Sequence, residues 1–311
     1  MAELDEIKRA FSAAGGDSAI FVNREIAHLA ASGHDLLSRR EIRGIRMDAQ
    51  ETPEGISACV IVERDARIEN PVHLCFGVLR EVGIQRIRMV LKLEEHAVAA
   101  FIAHCFFPSA KEVQHTMDAV IEIGHGAQMD YIEGHYHGPF GGASVHPKAV
   151  VRVGPYGRYF SDFSLTTGRV GTLNIDYRVE ADDYAVAETT ARVFGHATDK
   201  INIREQVVLA GKASRGLVKI RAAMEDEASA EVIGMTEGRA EGARGHVDCM
   251  EIVKDRAVAT AIPSVKVTHP LAKVTHEAAI GSVDKKQLET LMAHGLSPEQ
   301  AVNMIVSGLL R

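Results

Sequence analysis

Four short stretches of this 311-residue chain bring soft and borderline metal donors close together. "AHCFFP" puts His104 beside Cys105, "EGHYHG" holds His135 and His137 two apart, "GHVDCM" carries His246 and Cys249, and "THEA" carries His276 beside Glu277. Thiolate and imidazole suit zinc and iron-sulfur clusters, and a carboxylate is the weaker, more exchangeable ligand. On a strand, a step of two keeps His135 and His137 on one face. Adjacent residues such as His276 and Glu277 face opposite sides unless the strand ends there. Helix signals follow soon after, in "GSVDKKQL", so a strand end near this pair is expected. Any one of these residues, taken alone, is more often a core or surface group than a ligand.

Other chemistries have no sequence support. There is no GxSxG nucleophile turn, no kinase DFG set, no GxxxxGK[ST] phosphate loop and no HExxH zinc helix. The Gly-rich "GPFGGAS" at 138–144 lacks the strand-turn-helix frame of a dinucleotide site. No enzymatic activity of the chain's own is expected. The four cysteines, Cys59, Cys75, Cys105 and Cys249, form neither a CxxC knuckle nor a small disulfide framework. A net charge of −7 argues against nucleic acid, whose phosphates need clustered Lys and Arg. Fifteen histidines with no tryptophan point to imidazole ligands sooner than to a base-stacking platform. No apolar run reaches membrane-spanning length, and "MAELDEIKRAF" is unlike a signal peptide, so a cytoplasmic location without membrane contact is expected.

These residues must be positioned by β-structure. Residues 1–55 read as a small helical region: Leu4, Ile7 and Phe11 share a face, Gly15-Gly16 stops the run, and "NREIAHLAASGHDLLSRREIRGI" has apolar steps of three and four. From residue 56 to 281 the chain becomes a series of short β-branched or alternating runs such as "ACVIVERDARIE", "RIRMVLKL", "AVIEIGHG" and "TLNIDYRV". A sandwich, an antiparallel barrel or a β-helix could result. The recurrence of His104, His115, His125, His135 and His146 at steps of 10 or 11 leans toward coils of similar length. Residues 282–311 predict two short helices, one capped by Asp284 and stopped by Gly295, the next capped by Ser297 with Pro298 and Gln300 in place. The second carries Val302, Ile305, Val306, Leu309 and Leu310, enough apolar surface to require a partner or the chain's own body.

"VTHEAAIGSVDKKQLETLMAHGLSPEQAVNMIVSGLL" closely resembles the C-terminal signature of the SufB/SufD family of iron-sulfur cluster assembly scaffolds. "DYIEGHYHGPFGGASVHPKAVVRVGPYGRYF" is similar to the family segment in which "VEG" precedes a small-residue loop and a strand. The likeness covers roughly residues 110–311 and is strongest after 245. It implies a mainly β fold: a right-handed parallel β-helix with a small N-terminal helical region and two short C-terminal helices. It also implies a transient iron-sulfur cluster, docking of a SufC-like ABC-type ATPase on residues 282–311, pairing as a homodimer or a SufB/SufD-like pair, and a cysteine desulfurase or other sulfur donor. Carried onto this chain, Cys249 matches the family's required cysteine, and Glu277 and His276 match its candidate carboxylate and that carboxylate's neighbour. His135 stands where SufB typically has cysteine, which keeps metal ligation open there and weakens a sulfur relay. His137, His104 and Cys105 complete the candidate donors. Three other readings compete: a SufD-like structural partner without its own cluster, a His-ligated metal-dependent β-helix enzyme, and a polysaccharide-acting β-helix, the last disfavoured by the absence of tryptophan.

Overall fold

The computed structural model describes residues 2–13 and 17–310. Two ten-stranded sheets face each other. The first orders β2 (Asp35–Arg40), β1 (His28–Ser32), β5 (Val72–Gly77), β7 (Val98–Phe107), β9 (Gln128–His137), β11 (Arg158–Leu165), β13 (Val186–Gly195), β15 (Arg215–Met224), β17 (Arg244–Val253) and β20 (Lys273–Gly281). The second orders β18 (Val258–Ala261), β16 (Ser229–Gly238), β14 (Lys200–Leu209), β12 (Gly171–Ala181), β10 (Ala143–Val153), β8 (Glu112–Ile123), β6 (Val82–Leu93), β4 (Gly55–Val62) and β3 (Ile45–Thr52), with β19 (Ser264–Val267) also on β16. The chain alternates between the sheets, and from β4 onward each strand lies parallel to its neighbour in the stack. This is a β-helix.

Register fixes the length of a coil. Gly55 pairs with Arg86, Val98 with Gln128, Arg244 with Lys273 and Ala143 with Gly171, so a coil takes 31, 30, 29 or 28 residues. The histidine steps of 10 and 11 are about a third of that. They carry the chain through one strand or turn to the next, and no two of the five are register partners: His104 pairs with Gly134 and His115 with Val145. The five therefore do not repeat one place in each coil but fall into three environments: His115 and His135 point inward, His104 and His146 outward, and His125 lies in a turn.

Alternation builds the core. β8 reads "EVQHTMDAVIEI", and every second side chain from Val113 to Ile123 is buried. Burying each Val, Met or Ile among them is worth about 1.5–3 kcal/mol. The inward residues of both sheets make a single continuous core from Ala27 to Cys249. At one corner of successive coils a residue in the left-handed region turns the chain: Asp65, His96, Gly126, Tyr156, Tyr184, Ala213 and Gly242, with φ from 53° to 71°. The amide of each of Asp65, His96, Gly126, Tyr156, Tyr184 and Ala213 donates to a carbonyl one coil on, so the ladder continues through the corner. Their side chains stack too, Tyr156 on Tyr184 at 4.9 Å and His125 against Tyr156 at 5.5 Å. "GPFGGAS" is explained by the same close approach: a Cβ on Gly142 would come within 2.1 Å of the Lys111 carbonyl.

The N-terminal expectation needs correction. Helix α1 (Ala2–Ala13) and a single turn at Ser18–Phe21 are helical, but residues 28–52 form β1, β2 and β3, so the helical region ends near 21 and the strands begin at His28 instead of 56. β1 is buried along its whole length because α1 covers its outer side, so it shows none of the period-two signal that marks a half-buried strand. Ile7 and Phe11 pack on Phe21, Ala30, Cys75 and Phe106; the Leu4 side chain and Gly15-Gly16 lie outside the described residues.

The C-terminal helices form as read: α2 (Lys285–Ala293) is capped by Asp284, and α3 (Pro298–Leu309) by a full Ser297/Gln300 capping box. Val306 and Leu310 pack on Ala223, with Val302 and Phe194 beside them, while Met304 stays 53% exposed. No helix among the described residues is long and apolar enough to cross a membrane.

The buried histidines under α1 make stability depend on pH. Burial, with Arg40 nearby, holds His28 down at about 4, and burial, with His73, does the same to His104. The unfolded chain takes up these protons below its ordinary value near 6.5, so stability contributed by the neutral rings is full above that value and is lost as pH falls toward 4. Urea midpoints should drop between pH 7 and pH 5, and drop less in His104→Phe, which fills the slot between Phe11 and Phe106 with an apolar ring.

Candidate functional site

The inner face of β9 carries Glu133, His135 and His137, three inward positions in steps of two. All are nearly fully buried. Parallel register places His135 directly beside Cys105 of β7, so thiol and imidazole share the lumen. From the opposite sheet His115 of β8 brings Nε2 to 3.9 Å from the Cys105 Sγ. His135 Nε2 lies 2.8 Å from Glu133 Oε1, and its Nδ1 lies 3.5 Å from His137 Nε2. The second oxygen of Glu133 accepts a hydrogen bond from the Tyr177 hydroxyl at 3.0 Å. Phe107 and Phe163 close the sides. One donor atom each from Cys105, Glu133 and His135 lie within 4.8 Å of one another. Burial raises the Cys105 thiol well above its usual range, with Glu133 and Cys75 adding to it. Burial likewise lowers His115 to about 3 and pushes His137 well below its ordinary value, aided by neighbouring histidines.

The other expected donors are elsewhere. His104 points out of the sheet, away from Cys105, and its ring sits 4.6 Å from Phe11 under α1. The structure does not bring it to the lumen cluster. Cys249 points inward from β17, and its thiol is pushed up to about 12 by burial, then by Glu251 and Glu205. Glu251, two residues on and also inward, has both carboxylate oxygens without a partner and is raised to about 7 by burial. On β20, Ala278 is the register partner of Cys249, His276 that of Val247 and Glu277 that of Asp248. The strand does not end at the His-Glu pair, as expected; it runs to Gly281 because pairing with β17 continues to Ile252. His276 therefore shares the Cys249 face, while Glu277 points to the other side beside Asp248, itself ion-paired with Arg221 at 2.5 Å. Both His276 and Glu277 are exposed, since β20 is the last strand of its sheet. His246, outward on β17, hydrogen-bonds Thr275 at 2.8 Å.

Residues 79–309 match the family model described as SUF system FeS cluster assembly, SufBD core domain. The chain belongs to the SufBD family. The likeness extends to whole relatives. This SufBD chain is 40% identical over 267 residues, 86% of its length and 84% of the relative's, to an iron-sulfur cluster assembly SufBD family protein of Methanocaldococcus jannaschii. It is 32% identical over 308 residues, covering 99% of itself and 94% of the relative, to one of Pyrococcus horikoshii. The likeness to the iron-sulfur cluster assembly protein SufB of Bacillus subtilis is 34% over 73 residues, 23% of this chain and 16% of that protein. The family and its role in iron-sulfur cluster assembly are thereby shown.

Two members of the lumen cluster were not among the sequence candidates. Glu133 was legible, because "EGHYHG" repeats the step of two that joins His135 to His137. His115 was not, because its approach to Cys105 depends on which strands face each other across the lumen. Thiol accessibility tests this placement. Cys59 is partly exposed, and Cys75, Cys105 and Cys249 are buried. A thiol reagent should label the native chain rapidly at Cys59 alone and all four positions after denaturation, read by peptide mass; rapid native labelling of Cys249 would contradict it.

Proposed function

We propose that this SufBD protein is a scaffold on which an iron-sulfur cluster is assembled as cargo, at the end of the solenoid formed by β17 and β20. The observation that carries the reading is the register of Cys249 with Ala278, which sets the thiol and the His276 imidazole on one face of neighbouring strands, the outer strand uncovered. A scaffold has to release what it assembles. Few thiolates supplemented by His and Glu suit that task better than a closed four-cysteine cage. Glu277, exposed on the reverse side, joins the ligands only if β20 twists or a second protein supplies the geometry.

The same end offers the surfaces that partners need. Met250, Ile252, Leu291, Met304, Ile305 and Leu309 line an apolar groove between the last coils and the two helices, and a SufC-like ATPase docking there would supply the nucleotide chemistry this chain lacks. Val258, Val267, Leu271 and Ile280 are 46–63% exposed around the final strands, apolar surface that suits a second copy of the chain or a SufB/SufD-like pairing. A cysteine desulfurase or another donor would bring the sulfur. In this reading the chain performs no catalysis of its own.

A SufD-like role without a cluster is the second reading. It is favoured by the Cys249 thiol, which burial holds protonated at neutral pH and which must ionise to bind iron. Anaerobic reconstitution with iron and sulfide, with and without the ATPase partner, separates the two. The scaffold predicts visible cluster absorption and acid-labile sulfide in the wild type, lost in Cys249→Ser and retained in Cys105→Ser. Absence of cluster from every form, partner included, would leave the structural role.

A further inference from the structure

The donor set around Cys105 is not needed for cargo at the C-terminal end. β9 and β17 are four strands apart in their sheet, roughly 19 Å at a strand spacing of about 4.8 Å. A cluster bound by Cys249 cannot also touch His135. Burying a thiol, a carboxylate and three imidazoles between phenylalanine rings is unfavourable unless something compensates it. Hydrogen bonds within the group compensate only in part: the Nδ1 atoms of His115 and His137 are buried with no partner at all.

We propose that the lumen holds a single resident divalent transition-metal ion, of the zinc or ferrous class, bound by Cys105, His115, Glu133 and His135. One thiolate, two imidazoles and one carboxylate make a borderline donor set that selects such ions over calcium or magnesium. The spacing fits. Tetrahedral bonds of about 2.3 Å to sulfur and about 2.0–2.1 Å to nitrogen set those donors roughly 3.5 Å apart. The Sγ of Cys105 and Nε2 of His115 stand 3.9 Å apart, and Cys105, Glu133 and His135 already meet within 4.8 Å.

The surroundings are those of a supported site. A metal-bound His135 presents Nε2 to the ion and donates its Nδ1–H to His137 Nε2, the neighbour now 3.5 Å away. Tyr177 holds the distal oxygen of Glu133, and the near one, now paired with His135 Nε2 at 2.8 Å, exchanges that contact for the ion. On binding, the Cys105 thiol gives up its proton to solvent, so affinity rises with pH, while His135 keeps its single ring proton, moved from Nε2 to Nδ1.

The test uses the full chain, stripped by chelator under anaerobic conditions and titrated with Co²⁺ as a spectroscopic probe. Expected is one equivalent bound with a thiolate-to-cobalt charge-transfer band that disappears in Cys105→Ser and persists in Cys249→Ser. His137→Ala, which removes only the support, should weaken binding about 10–100-fold while keeping the band. Circular dichroism checks folding; should Cys105→Ser fail to fold, the near-isosteric Glu133→Gln must show the same loss of affinity. No tight cobalt binding by the wild type, or a band abolished by Cys249→Ser and untouched by Cys105→Ser, overturns the proposal. Neither result depends on cluster reconstitution, so the proposed function and this ion stand or fall separately.

Discussion

Parallel backbone pairing between successive coils, repeated every 28 to 31 residues, is the constraint on which the rest of the molecule depends. A coil that closes on its neighbour must direct alternate side chains into a lumen shared by two sheets, with no room there for water around a charge. Apolar residues fill most of that space. A polar residue placed inward has to find its partner within its own coil or the next one. Thr189 donating to Glu205 at 2.7 Å and Tyr177 donating to Glu133 are such solutions. Glu251 has none, and it sits two residues from Cys249 near the end where the stack stops.

That geometry sorts the chemistry of the chain by parity. Cys105, Glu133, His135 and His137 converge because each occupies an inward position, and His104 is excluded by a single step along β7. On β20 the same rule divides His276 from Glu277. An edge strand without a successor keeps both faces open, so the one imidazole that shares the Cys249 side remains within reach of a partner. The lumen cluster, by contrast, is sealed by a coil above and a coil below. The cargo and the resident ion proposed above would thus find different environments in one architecture.

The sequence revealed the strands wherever one face is buried and the other wet, as in "RIRMVLKL" or "TLNIDYRV", and the helix ends wherever capping chemistry is local, as at Asp284 and Ser297. It concealed β1 and β2, whose "HLAAS" and "DLLSRR" lack alternation because α1 and the coil shield them on both sides, and whose apolar steps happen to fit a helix. The family likeness located Cys249 and the His-Glu pair but could not orient them, since orientation follows from where β20 ends. The Cys105–His115 contact is a relation across sheets, and nothing local in the chain encodes it.

The proposed resident ion and the proposed cargo site lie about four strands apart, and locating metal directly tests that separation. Crystals of the anaerobically loaded protein, measured for anomalous scattering at the zinc and iron edges, should show a single-ion peak between Cys105 and His135 and a distinct iron peak beside Cys249. Density confined to one of these places, or iron shared along the lumen between them, would contradict it.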